Sequence, residues 1–153
     1  MAQFRFKLEA VLRQREIIEE QKQRELAMVM RQRMIFMEQL KREQEIISES
    51  KKQLSQSLTG RVNLDAVSGF ARFSGQTTMR AQQIVNKLAS MEPMIEKARQ
   101  ALMEAVRNRK ALDLLKEKHK RAWQLRQDRL EAAVLDEMAV QRHARALLGG
   151  DDS

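Results

Sequence analysis

Apolar residues recur at spacings of three and four along most of this chain, and no proline or glycine occurs from Phe4 to Leu58. Leu8, Leu12, Leu26, Val29, Phe36, Leu40, Ile47 and Leu54 form one such seam, interrupted by Arg15, Lys22 and Glu43. A seam of that period occupies one face of an α-helix, and it holds only if a second helix covers it. A second seam starts at Ile84 and runs through Leu88, Met91, Ile95, Ala98, Leu102 and Ala105 as far as Leu147. Fourteen of its nineteen steps are apolar, enough to sustain a coiled coil. The five exceptions, Arg109, Lys116, His119, Arg126 and Glu137, fall together in the region of the basic residues.

Between the seams lies the turn-rich stretch. Thr59-Gly60 reads as a helix stop, because glycine reaches the left-handed conformation that ends helices. Gly69 and Gly75 follow, and Asn63-Leu64-Asp65-Ala66-Val67 reads as an N-cap with about two helical turns. The predicted fold is therefore all-α: a long antiparallel two-helix coiled-coil hairpin, one domain over residues 1–148. Helix 1 is expected over about 4–58, the bend over 59–78 with Phe70 and Phe73 at or beside it, and helix 2 over about 79–148, beginning near Thr77 or Thr78. Pro93 predicts a kink, or a helix start after a cap at Ser90. Residues 149–153 read as a flexible tail. Pairing Leu58 with Met79 makes opposed positions sum to about 137, which brings Leu54 near Ile84 and Arg107–Arg129 beside residues 8–30. Closing a loop of about 20 residues costs less than association, so a monomer is expected, with helix 2 overhanging helix 1 at the open end.

Composition excludes much chemistry. With 4% aromatic residues and 33% charged ones, the chain lacks the material for a large enclosed core. It has no cysteine, hence no disulfide, thiolate nucleophile or cysteine zinc site. His119 and His143 have no second histidine at ligand spacing, and His119 on the seam reads as packing. Carboxylate pairs such as Glu19-Glu20 and Glu43-Glu45 have no pocket to perturb them. No phosphate-binding glycine loop occurs. No enzyme activity, cofactor or metal is expected. The start, Met1-Ala2-Gln3-Phe4-Arg5-Phe6-Lys7, alternates apolar and basic residues, unlike a signal peptide, and the run Met34-Ile35-Phe36-Met37 is far short of a membrane span.

The net charge of +8 is uneven. Arg107–Arg129 holds nine basic residues against Asp113, Glu117 and Asp128. A solvated face, nucleic acid, anionic lipid and an acidic protein surface are the four readings of this patch. The absence of a recognition motif and of interleaved aromatics disfavours nucleic acid, and the apolar face engaged by helix 1 disfavours lipid, so the protein surface is preferred. Met28, Met30, Met34 and Met37 suggest an adaptable docking surface, with core filling the plainer reading. Trp123, on the seam, reads as core before partner anchor.

The opening Phe4-Arg5-Phe6-Lys7-Leu8-Glu9-Ala10-Val11-Leu12-Arg13-Gln14-Arg15, followed by Ile17-Ile18-Glu19-Glu20, resembles the start of the FliJ family of flagellar export proteins. The resemblance implies a cytoplasmic coiled coil at the flagellar base, peripheral to the inner membrane, in the type III export apparatus and similar to the central stalk of rotary ATPases. It implies the hexameric export ATPase and an export-gate membrane protein as partners, with export chaperones as further ones. Phe4, Phe6, Leu8, Leu12 and Arg13 would belong to the ATPase-facing end, to which the patch adds Arg107, Arg109 and Lys110. Leu40, Ile47, Phe70 and Phe73 would belong to the gate-facing end. The alternative from another class is a basic helical adaptor for nucleic acid or an anionic membrane.

Overall fold

With no proline or glycine to interrupt its hydrogen bonding, the first seam forms one helix, α1 (Glu9–Ser57). A computed structural model describes residues 2–149, in which α1 and α2 (Leu64–Leu148) pack against each other as a helical hairpin, with no strand among the described residues. The part of the expected tail from 150 to 153 lies outside the described residues. Contacts gather the chain into two compact units: a terminal unit, Met1–Ile17 with Val106–Ser153, and a bend unit, Ile18–Ala105.

The bend is much shorter than the glycines suggest. At the end of α1, Ser57 Oγ donates to the Leu54 carbonyl at 2.8 Å and Thr59 Oγ1 to that of Gln56 at 2.6 Å, satisfying carbonyls that a helix end leaves open. Gly60, at φ +117°, makes the reversal that a side chain would obstruct. Three residues later Asn63 Oδ1 accepts from the Asp65 amide at 3.0 Å, and Asp65 sits in the first turn, where a negative charge meets the positive end of the helix dipole. The expected cap at Asn63 is present, but the helix it opens does not stop after two turns. It continues through Gly69 and Gly75, so helix 2 begins at Leu64 and not near Thr77, and residues 64–78 are helix and not bend.

Pro93 neither starts nor ends the helix; it lies inside α2. A proline there costs about 3 kcal/mol. It is flanked by Met91 and Ile95, 6% and 1% exposed, and burying two such side chains contributes about 1.5–3 kcal/mol each, enough to offset it. Ser90, the alternative cap, instead donates to the Lys87 carbonyl at 2.7 Å.

The early start of α2 resets the register of the bend unit. Arg80 meets Glu43 (4.0 Å) and the Lys87 ammonium lies 5.5 Å from the centre of the Phe36 ring; both pairs of positions sum to 123. Arg33 pairs with Glu92 at 3.2 Å, a sum of 125. The expected 137 is therefore corrected by about 12 to 14 positions, close to the number of residues by which α2 was expected to start too late. Leu54 stands beside Gly69 and Phe70, not beside Ile84.

Two polar residues at the seam of the bend unit lie beside the Arg80 guanidinium, with different success. Thr77 is fully buried, its hydroxyl donating to the Phe73 carbonyl at 2.9 Å while accepting from Arg80 Nη2 at 3.3 Å. Glu43 Oε2 is buried without a hydrogen-bond partner, and the Arg80 guanidinium 4.0 Å away is more than half exposed. A carboxylate so placed loses hydration and recovers little of it.

Two measurements follow. Cysteines at Leu54 and Phe70 should form an intrachain disulfide, whereas cysteines at Leu54 and Ile84 should not. In the observed register Ile84 is some 15 helical residues from Leu54's counterpart, about 22 Å along the axis, against a Cα separation of at most about 7 Å for a disulfide. Efficient crosslinking of the second pair would restore the 137 register. Replacing Glu43 by Leu should stabilise the fold by about 1–2 kcal/mol in urea titration, because it removes a desolvated carboxylate from an apolar seam; a loss of stability would show that the Arg80 contact outweighs that cost.

Candidate partner-docking surfaces

The terminal unit begins with a short segment that is not helical. Phe4 and Phe6 are half-buried and buried, while Arg5 and Lys7 between them are exposed, the period of two that an extended chain gives. Helix 1 therefore starts at Glu9 and not at Phe4, its first turn closed by bonds from the Glu9 amide to the Phe6 carbonyl (3.2 Å) and from the Leu12 amide to the Leu8 carbonyl (2.9 Å). The alternation of apolar and basic residues was visible in the sequence and is the signal that separates these residues from the helix after them.

This segment is clasped to α2 by two ring contacts. The Phe6 ring meets His119 edge-on with centroids 5.8 Å apart, and the Phe4 ring meets Trp123 at 6.0 Å, tilted by 53°. Such pairs contribute about 0.5–1.5 kcal/mol each beyond burial. Glu9, at the start of α1, reaches Lys116 at 2.9 Å. Lys116, His119 and Trp123, three polar or polar-edged steps of the second seam, thus each find a partner from the N-terminal segment. Trp123 is half-buried by it.

Of the other residues expected at this end, Leu12 is 3% exposed and belongs to the core, Leu8 is partly exposed and Arg13 is exposed. Arg107 and Lys110 are exposed; Arg109 is half-buried and paired with Asp113 one turn on. Only part of the patch lies beside residues 8–30: Lys116 is opposite Glu9 and Trp123 opposite Phe4, so its last residues run past the N-terminal segment. Beyond Trp123, α2 continues to Leu148 with every side chain exposed except half-buried Gln127. Leu130, Leu135, Val140 and Leu147 are each at least 60% exposed, and nothing among the described residues covers them. The expected overhang of helix 2 is present in this unit.

In the bend unit, Phe70 is half-buried and Phe73 38% exposed, and both line a shallow cleft of about 400 Å³ with Leu54, Ser57, Ala66 and Gly69. Leu40 and Ile47 are half-buried seam residues outside that cleft. Met28, Met34 and Met37 are 70%, 63% and 51% exposed, so core filling does not describe them, while Met30 is half-buried. No cluster of three or more metal-ligating side chains occurs among the described residues, and no helix there is long and apolar enough to cross a membrane.

The clasp makes a local prediction. Phe6→Ala should leave the far-ultraviolet helical signal within a few per cent of wild type but red-shift the emission of Trp123, the single tryptophan, and raise amide exchange over residues 8–12. Unchanged exchange there would mean that the start of α1 does not depend on the clasp.

Comparison with known proteins bears on the whole length of this architecture. The family model described as Flagellar FliJ protein matches residues 4–148, from the first clasp aromatic to the last residue of α2. No curated protein and no solved structure gives a significant match. The chain belongs to the flagellar FliJ family and is a component of the flagellar export apparatus.

Proposed function

We propose that this chain is a non-catalytic stalk that docks to the hexameric export ATPase through its terminal unit and to the export gate through the cleft around Phe70 and Phe73. The observation that carries the reading is the stretch of α2 beyond Trp123, about 25 residues of helix with Leu130, Val140 and Leu147 open to solvent. Helices in proteins draw most of their stability from packing, and these apolar side chains gain free energy only when a partner covers them. A ring with a central opening is a partner of suitable form for a single projecting helix. Arg107 and Lys110, exposed on the same unit, would steer the approach to an acidic surface, and Phe4, Leu8 and the projecting helix would supply short-range affinity.

Phe70 and Phe73 support the gate-facing role because they are the only aromatic residues near the bend and line a shallow cleft there. Location in the cytoplasm at the inner membrane, action as a monomer and contact with export chaperones belong to the same proposal. Binding to nucleic acid or to an anionic membrane is the competing outcome.

Surface-plasmon kinetics with the purified export ATPase hexamer tests the docking. Leu130→Asp with Leu147→Asp should weaken binding at least tenfold, mainly by faster dissociation, with helicity retained. Arg107→Glu with Lys110→Glu should slow association at low salt, and the difference from wild type should shrink as salt rises, since screening shortens the reach of the charges. Equal binding by all three proteins would reject the terminal unit as the docking surface, and tight binding to duplex DNA or anionic vesicles instead would favour the adaptor reading. The isolated chain should hydrolyse no ATP, and turnover lost on mutating one of its own residues would overturn the non-catalytic reading.

A further inference from the structure

The clasp of the terminal unit has a second consequence. A segment of period two that sets Phe4 and Phe6 against α2 must hold Arg5 and Lys7 away from it. Arg126, one turn beyond Trp123, stands at the same place, its Nε donating to the Ala122 carbonyl at 3.4 Å and its terminal nitrogens without a partner among the described residues. These three cations rim a cleft of about 530 Å³ whose walls are Phe4, His119 and Trp123. That volume lies within the ~300–1,000 Å³ of sites that enclose a ligand. No carboxylate among the described residues lines it. Two acidic side chains of the same unit are committed elsewhere: Glu9 to Lys116 at 2.9 Å and Glu117 to Arg121 at 3.2 Å.

We propose that this cleft is a receptor for an acidic peptide segment with bulky apolar side chains at its centre, one of them packed in the cleft against the Phe4–Trp123 pair and the flanking carboxylates paired with Arg5, Lys7 and Arg126. Three un-neutralised cations around an apolar floor are complementary to that pattern and to few others. A single-stranded nucleic acid would need open ring faces on which successive bases stack. Here the faces are used within the clasp, Phe4 against Trp123 and Phe6 against His119, and no further aromatic residue continues the row. A membrane would need a continuous apolar face, whereas the cleft is narrow and its rim charged. The cleft stands at the root of the exposed part of α2, which starts with Leu125, 57% exposed, so a partner lying on that helix would reach it. This deepens the docking reading of the terminal unit and rests on it for the identity of the partner, though not for the binding chemistry.

Trp123 is the only tryptophan, so its fluorescence and its indole N–H resonance report on this cleft alone. Titration of the full chain with the capped peptide Asp-Glu-Leu-Phe-Asp-Glu should shift both signals saturably, with a dissociation constant in the micromolar range. The same peptide with Ala-Ala for Leu-Phe, or with lysines for its acidic residues, should bind at least tenfold more weakly. Arg5→Glu, Lys7→Glu and Arg126→Glu together leave the rings in place; this variant should lose at least tenfold in affinity while its helicity stays unchanged. The milder Arg5→Gln with Lys7→Gln should lose an intermediate amount and remove part of the salt dependence, because rim charges act on encounter and orientation. No peptide response, equal binding of the lysine peptide, or a larger response to oligo-dT or phosphatidylglycerol vesicles would each overturn the proposal. The same variants against the export ATPase separate the two readings. If the ring binds but the peptide does not, the cleft proposal fails and docking stands; if the peptide binds but the ring does not, the cleft stands and docking fails.

Discussion

Six residues between Ser57 and Leu64 determine what most of the bend unit can touch. Because Gly60 reverses the chain and Asn63 at once opens a new helix, there is no slack between the two seams, and the first residues of α2 are already opposite the last turns of α1. Four cross-helix contacts in that unit follow from this point: Leu54 beside Phe70, Arg80 beside Glu43, Lys87 over Phe36, Arg33 with Glu92. A coiled-coil seam by itself leaves register open, since a shift of one heptad buries nearly the same apolar surface. A tight turn removes that freedom.

Cost and gain are unevenly spread along the pair. Few of the described side chains are buried; Phe6 and Leu12 are among them, but Thr77, Met91, Ile95 and Ala105 all lie on α2, whose seam is the more regular. Helix 1 presents Glu43 and the half-buried cations Arg15 and Lys22 where apolar residues would pack better. Lys22 pairs with Glu25 on its own helix, at 3.1 Å, and partly exposed ion pairs contribute about 0–1 kcal/mol. Apolar burial therefore holds the helices together, while the polar steps bias which positions face one another.

Charge in the terminal unit behaves in the same way. Asp113, Glu117 and Glu9 each take one cation out of the basic stretch, pairing with Arg109, Arg121 and Lys116. The patch is thus less uniform than a charge count implies. The cations without a carboxylate are set by the alternation of the N-terminal segment and by the stretch of α2 that outruns it, which puts the positive potential where the chain leaves its own apolar surface uncovered.

The amino-acid sequence by itself determined the helical period of both seams, the stop at Gly60, the cap at Asn63, the lack of a thiol and of a phosphate-binding glycine loop, and the family. Each of these depends on the covalent character of a few neighbouring residues: a period, a missing side chain, a short polar cap. Only the tertiary structure decided that α2 begins at Leu64, that Phe4–Leu8 leaves the helix to clasp Trp123 and His119, and that Glu43 faces Arg80. Two glycines inside a helix cost about 1 kcal/mol each, a penalty that a partner helix overrides but a local pattern cannot price. Register and clasp depend on which distant residues become neighbours once the bend is made, and that is information no single stretch of the chain contains.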